Sequence, residues 1–148
     1  MKKINSLALA FGSAALLVAS FAQANTVTPL SPLPAGSYGD PNLATLVVTQ
    51  SGATLELRCA NVAFGEINYN ASNGKFSVEG EETTALPAHH AAATPVVLTG
   101  TVSKCEPDGV CRTTPAYITA TLSNAQTGVV LGQYALQIDV NGVGVRCE

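Results

Sequence analysis

Residues 44–59 read Ala44-Thr-Leu-Val-Val-Thr-Gln-Ser-Gly-Ala-Thr-Leu-Glu-Leu-Arg-Cys59, two alternating runs on either side of Ser51-Gly52. Ser-Gly between two such runs predicts a two-residue hairpin turn, which places Val48 opposite Leu55. One face of this hairpin is then apolar and the other mostly polar, as in a strand pair with one side on a core and the other in water. The stretch therefore predicts an antiparallel sheet.

Three further turn signals, Asn73-Gly74, Pro107-Asp108-Gly109 and Asn141-Gly142, predict three more hairpins. Their paired segments would be 62–71 with 76–80, 95–104 with 112–123, and 129–140 with 143–147. Four hairpins make eight strands, which predicts an all-β, up-and-down antiparallel meander closed into a small barrel. A two-sheet sandwich built from the same hairpins is the alternative.

Four cysteines allow three disulfide pairings, and the meander favours one of them. The four turns would lie at one end of the barrel together with Cys105 and Cys111, whereas Cys59 and Cys147 end strands at the other end. A strand spans roughly 17 to 20 Å, but bridged Cα atoms lie no more than about 7 Å apart. We therefore predict the disulfides Cys59–Cys147 and Cys105–Cys111.

The first 24 residues have the pattern of a secretory signal, with two lysines, an apolar run and the small-x-small site Ala22-Gln-Ala24. Cleavage after Ala24 predicts a periplasmic or secreted chain, in a compartment where disulfides persist. Residues 25–43 are rich in proline and are predicted to form an N-terminal arm, and residues 44–148 a single all-β domain. No other segment approaches the roughly 20 apolar residues of a membrane span.

The charge balance limits the expected partners. Removing the two signal lysines leaves five basic side chains against ten acidic ones, a net charge of −5. Because no basic patch is available to neutralise phosphates, nucleic acid and anionic membrane surfaces are not expected partners. An unidentified protein remains the partner to consider.

The one long irregular segment, residues 81–94, holds the candidate site residues Glu81, Glu82, His89 and His90. A segment of this length is either a functional loop, here a candidate for binding a partner protein, or a solvated one. His89 and His90 are candidate ligands of a transition metal, but no third ligand is placed by a fixed spacing, so we expect no metal or other cofactor. Neither histidine lies on a predicted strand near a nucleophile, so we expect no enzyme.

Several motifs resemble a family of small uncharacterised exported bacterial β-proteins. They are Cys59-Ala60 after an amphipathic strand, the hairpin Asn73-Gly-Lys-Phe-Ser-Val-Glu-Gly80 and a cysteine next to the C terminus. The resemblance implies an exported β-protein and supplies no activity. This chain departs from the family pattern by adding Cys105 and Cys111 and by lacking its central glycine-proline stretch.

Three functions follow as hypotheses. The first is a non-catalytic barrel that binds a partner protein, in the manner of an inhibitor, and the second is a carrier with a small apolar ligand inside the barrel. The third is a metal site or weak enzyme in the 81–94 loop. The carrier requires a hollow interior, and the predicted interior positions are Leu46, Val48, Leu55, Leu57, Phe76, Val78, Leu98, Ile118, Leu136 and Ile138. Tyr117 is predicted to face outward and Tyr69 to lie in the core or at the rim.

Overall fold

A computed structural model describes residues 28–84, 93–140 and Gly142. The predicted signal peptide, His89, His90 and Cys147 lie outside the described residues. Within them the chain forms ten β-strands and no helix. The strands are β1 (Leu30–Pro32), β2 (Gly36–Asp40), β3 (Ala44–Val48), β4 (Ala53–Leu57), β5 (Ala60–Phe64), β6 (Asn68–Asn70), β7 (Lys75–Thr84), β8 (Thr94–Ser103), β9 (Tyr117–Asn124) and β10 (Val130–Ile138).

All strands except β1 and β6 form one closed barrel. Each barrel strand pairs antiparallel with the next barrel strand along the chain, and β10 closes the ring against β2. The predicted eight-stranded up-and-down barrel is thus confirmed, and the sandwich alternative is wrong. β1 and β6 pair with each other as a separate two-stranded sheet.

The barrel begins earlier in the chain than the sequence indicated. β2 pairs with β3 along all five of its residues, so the predicted arm of residues 25–43 contributes a barrel strand, and the domain boundary at residue 44 is wrong. Pro34 and Pro41 lie just outside the strand, and two glycines interrupt its alternation, which conceals the buried Tyr38 from a pattern search. β2 occupies the place beside β10 that was predicted for residues 143–147, which lie outside the described residues.

Two hairpins keep their predicted faces but not their register. Val48 pairs with Ala53, because residues 49–52 form a four-residue turn closed by the Thr49 N–H donating to Gly52 O at 2.8 Å. Val102 pairs with Ile118 and not with Thr114. Both shifts are even, by two and four residues, and an even shift leaves every side chain on its original face.

The predicted hairpin at Asn73-Gly74 is wrong in its partners. The chain does turn there, with the Gly74 N–H donating to Asn70 O at 2.7 Å. The strand before the turn, however, is β6, which pairs with β1 outside the barrel, while β7 pairs with β5 through Phe64 and Gly80. The signal therefore located the turn and missed the strand that lies beside β7.

The two halves of the barrel differ in strand length. We call β7–β10, with strands of eight to ten residues, the long wall, and β2–β5, with five residues each, the short wall. The walls meet twice: β5 pairs with β7 over five residues, whereas β10 pairs with β2 only at Gln137 and Ile138. Residues 130–136 of β10 therefore extend beyond β2, the strand of the short wall that lies beside it.

Apolar side chains from both walls fill the barrel. Of the ten predicted interior positions, seven are buried, and Leu57, Val78 and Ile138 pack against them partly buried. One end is closed by Leu33 and Ile67 from the segments around β1 and β6, joined by the Leu33 N–H donating to Ile67 O at 2.8 Å. Burying a large apolar side chain contributes about 1.5–3 kcal/mol, so this interior is the main source of stability.

Candidate functional site

Both ends of the predicted loop of residues 81–94 belong to strands, residues 81–84 to β7 and Thr94 to β8. Glu81 and Glu82 belong to β7, where Glu81 is exposed and Glu82 is partly buried, so neither is a loop residue as predicted. The rest of the predicted loop, residues 85–92, lies outside the described residues. No cluster of metal-ligating side chains occurs among residues 28–84, 93–140 and 142, and the metal candidates His89 and His90 lie outside them.

The disulfide Cys105–Cys111 is confirmed, with Cα atoms 3.9 Å apart. Its loop is tied to the closing strand through Glu106, whose carboxylate is largely buried. One oxygen accepts a hydrogen bond from Arg112 Nε at 3.1 Å, and the other accepts one from the Gln137 side-chain amide. These contacts hold the disulfide loop against the outer face of β10.

The second predicted disulfide, Cys59–Cys147, stays a prediction. Cys59 is exposed and forms no disulfide with another described residue. Gly142, the last described residue, lies against Ala44, which pairs with Leu57 two residues before Cys59. Five residues lead from Gly142 to Cys147, and they can span up to about 17 Å, which leaves the bridge within reach.

The outer face of the long wall carries a groove of about 660 Å³. Two outward-facing rows of side chains form its walls, and the backbone of an inward-facing row between them forms its floor. The first wall consists of Thr99, Thr121 and Gln133, the second of Lys75, Thr101, Thr119 and Ala135, and the floor of Phe76, Gly100, Ala120 and Tyr134. The groove therefore runs across the strands.

Alternation along β8 and β9 builds these rows. Threonines at every second position face solvent, while the residues between them are buried or partly buried, as expected for strands with one wet face. In the floor, Gly100 lets the Phe76 ring and the Thr119 carbonyl oxygen lie close to the backbone of β8. A Cβ atom at this position would lie 2.8 Å from the Phe76 ring and would overlap the Thr119 oxygen. The neighbouring strands thus bring four threonine hydroxyls onto one surface.

The ionisable side chains Lys75 and Asp40 lie at opposite ends of the groove. Asp40 is largely buried, and its two oxygens accept hydrogen bonds from the backbone N–H groups of Asn42 at 3.1 Å and Ala135 at 3.2 Å. Four strand spacings separate the strands of these residues, about 19 Å along the sheet. Between these two side chains the groove presents mainly hydroxyl and amide hydrogen-bonding groups.

Two tyrosines of the barrel have raised pKa values. Burial, with smaller contributions from Tyr69 and Asp139, raises the pKa of Tyr38 to about 12, and its hydroxyl donates to Pro34 O at 3.0 Å. Burial, followed by the nearby Glu82 carboxylate, also raises the pKa of Tyr134. Both are neutral near pH 7 and serve packing.

The placements predicted for the other two tyrosines, Tyr69 and Tyr117, agree with the structure. Tyr69 is partly buried against the core, and Tyr117 is partly exposed in an outward-facing position of β9. The groove itself was not predicted. A signal for it was present in Leu98-Thr-Gly-Thr-Val102 and Ile118-Thr-Ala-Thr-Leu122, but only the register of β8 and β9 shows that these threonines are neighbours.

Comparisons with known proteins found no match: no family model, no curated protein and no solved structure matches this chain. The family resemblance therefore rests on its sequence motifs alone. Within the described part of the chain, no helix is long and apolar enough to cross a membrane.

Proposed function

We propose that this chain is an exported, non-catalytic binding protein, and that its groove on the long wall binds a partner protein. The observation that carries the proposal is the groove, which is open to solvent along its length and combines threonine hydroxyls, an amide and a lysine ammonium. Groups that both donate and accept hydrogen bonds suit the polar backbone and side chains of an exposed polypeptide segment.

Export is supported by the signal-like start of the sequence and is compatible with the Cys105–Cys111 disulfide, since such bonds persist in oxidising compartments. The filled interior supports outer-surface binding over the carrier hypothesis, because a ligand inside the barrel would have to displace core side chains. The metal or weak-enzyme hypothesis depends on His89 and His90, and no observation on the described residues favours it.

The test is capture of a partner by the immobilised, oxidised protein from a periplasmic and extracellular extract, read by mass spectrometry. The double variant Thr99→Arg/Thr119→Arg places two long cationic side chains in the groove. Thr54→Arg is the matched control, because Thr54 lines a smaller pocket of about 360 Å³ on the outer face of the short wall. We expect a stoichiometric protein to be captured by the unmodified chain and by Thr54→Arg, and to be lost with the double variant.

The other results are equally informative. Equal capture by all three proteins would show that the partner binds elsewhere. Recovery of an apolar compound without any protein would contradict the proposal and favour the carrier hypothesis. Outward-facing threonines on strands tolerate polar replacements, so we expect every variant to fold. Circular dichroism of each variant checks that the barrel is intact.

A further inference from the structure

The junction between β10 and β2, which we call the seam, has the fewest paired residues of the barrel junctions. It pairs two residues of each strand, whereas every other junction between the described barrel strands has at least four pairs. Two further hydrogen bonds cross the seam: the Asp139 N–H donates to Ser37 O at 2.9 Å, and the Ala135 N–H donates to the Asp40 carboxylate at 3.2 Å. Closure of the barrel therefore depends on a few contacts of β10.

The disulfide loop, residues 105–111, holds the end of β10 at the seam. The side-chain amide of Gln137, a residue that pairs with β2, donates to one carboxylate oxygen of Glu106. Arg112, the residue after the loop, donates from Nε to the other oxygen at 3.1 Å, and its Nη1 lies 3.7 Å from Asp139 Oδ2. The ion pair with Asp139 is exposed and contributes little to stability, so Glu106 provides most of the attachment.

The position of Glu106 depends in turn on the disulfide. The Glu106 side chain is 7% exposed, and a buried carboxylate is stable only while it is paired and hydrogen-bonded. The loop lies beyond the ends of β8 and β9, and Cys105 and Cys111 meet there as an isolated bridge. In the chain-entropy account, a covalent bond that closes a loop of this length favours the closed form by roughly fiftyfold. The disulfide therefore keeps Glu106 against β10.

We propose that the Cys105–Cys111 disulfide is a redox latch on the seam, released by a small dithiol. Both cysteines are exposed, so a dithiol reaches the bond. One thiolate of the dithiol attacks a cysteine sulfur and breaks the S–S bond, and its second thiolate then displaces the cysteine from the mixed disulfide. The two thiol protons pass to Cys105 and Cys111, and the dithiol becomes its own disulfide. The loop then leaves β10 and the seam opens, while the other junctions stay paired.

Opening of the seam changes both the interior and the groove. Tyr38, which is fully buried in the oxidised protein, lies opposite Ile138 in the seam, so water reaches the core there once the strands separate. Asp40 and Ala135, whose hydrogen bond crosses the seam, also line the groove. Reduction therefore alters this end of the groove, whether or not the groove binds a protein.

The test needs a protein in which this disulfide alone is reduced. The full chain with Cys59→Ser/Cys147→Ser serves, because Cys105–Cys111 is then the one disulfide that can form. Excess dithiothreitol is the reductant. Should this variant not fold, Cys105→Ser/Cys111→Ser in an otherwise unmodified, oxidised chain lacks the same bond and is compared with the unmodified chain.

Hydrogen exchange of individual backbone amides, followed by NMR, measures the opening of the seam. We expect reduction to speed exchange of the Ala135 and Asp139 N–H groups, which bond across the seam, by about tenfold or more. The Ala125 N–H, which donates to Pro95 O at 3.0 Å at the far ends of β8 and β9, is the internal control and is expected to be unaffected. Unchanged exchange at the seam would overturn the proposal, as would equal acceleration at Ala125.

Two variants of the loop test whether the disulfide acts through Glu106. Glu106→Ala detaches the loop from β10 with the disulfide intact, so the oxidised variant is expected to show the same faster exchange at the seam, and reduction is expected to add little. Asp108→Ala is the matched control, because the Asp108 carboxylate accepts the Val110 N–H at 3.2 Å within the same loop. Slow seam exchange in oxidised Glu106→Ala, or equal acceleration by Asp108→Ala, would contradict the latch.

Discussion

The long and short walls of the barrel have different outer faces. The long wall presents two solvent-exposed rows of side chains with a groove between them. On the short wall Gly39 and Thr45 face outward and are nevertheless buried, because Val140 and Gly142 lie against them after β10. The outer face of the short wall is thus covered at β2 and β3 by the chain's own continuation, whereas the groove on the long wall is open among the described residues, which is why we place partner binding there.

The largest effect on stability that we expect from this comparison concerns β2, the strand of the short wall that pairs with β10. Tyr38→Ala removes a fully buried aromatic side chain from β2 and is expected to lower the free energy of unfolding by about 3–5 kcal/mol. Tyr117→Ala, on the outer face of the long wall, is the control and should cost about 1 kcal/mol or less. Urea denaturation of the oxidised proteins measures both. Similar losses from the two variants would show that β2 is not an integral part of the barrel.

The cover over the short wall predicts a smaller effect. A Cβ atom at Gly39 would overlap the carbonyl oxygen of Val140 and lie 2.7 Å from the Gly142 nitrogen, so Gly39→Ala forces Val140 and Gly142 away from the barrel. We expect a loss of about 1–3 kcal/mol in the free energy of unfolding. Gly65→Ala is the matched control, because a Cβ atom there would meet nothing within 4 Å, and it should be neutral or slightly stabilising. If the two variants have the same free energy of unfolding, the contact of Val140 and Gly142 with Gly39 contributes no stability.

Sequence patterns predicted the faces of the strands better than their partners. Alternation in residues 44–57 and 95–123 placed the right side chains inside even where the register was shifted, since an even shift does not exchange the faces. Partners depend on turn length and on distant strands, which local signals do not encode. Asn73-Gly74 therefore marked a turn but not the pairing of β5 with β7, and the groove appeared only once β8 and β9 were in register.

β2 escaped prediction for a related reason. Its five residues include two glycines and a single large apolar side chain, so the strand is too short to show an alternating pattern of its own. Tertiary contact supplies what the local pattern lacks, because Tyr38 packs into the core and its hydroxyl reaches Pro34 O. The same tyrosine also makes the stability of the short wall depend on pH.

The smallest effect we predict is this pH dependence. Burial raises the pKa of Tyr38 from 10.0 to about 12 in the folded protein, so the folded state disfavours the phenolate more than the unfolded state does. The resulting stability is fully present below pH 10 and is lost as the pH rises through about 12, a loss of about 1.4 kcal/mol by pH 11. Tyr38→Phe cannot ionise and does not show this loss.

At neutral pH, Tyr38→Phe is expected to be less stable than the unmodified protein by about 1 kcal/mol, because it lacks the hydrogen bond to Pro34 O. By pH 11 the loss in the unmodified protein offsets this difference, and the two unfolding free energies should meet or cross. Urea denaturation of both proteins at pH 8, 10 and 11 measures the change. A constant difference between them would mean that the Tyr38 hydroxyl is accessible to water in the folded protein, and that the short wall does not close over it.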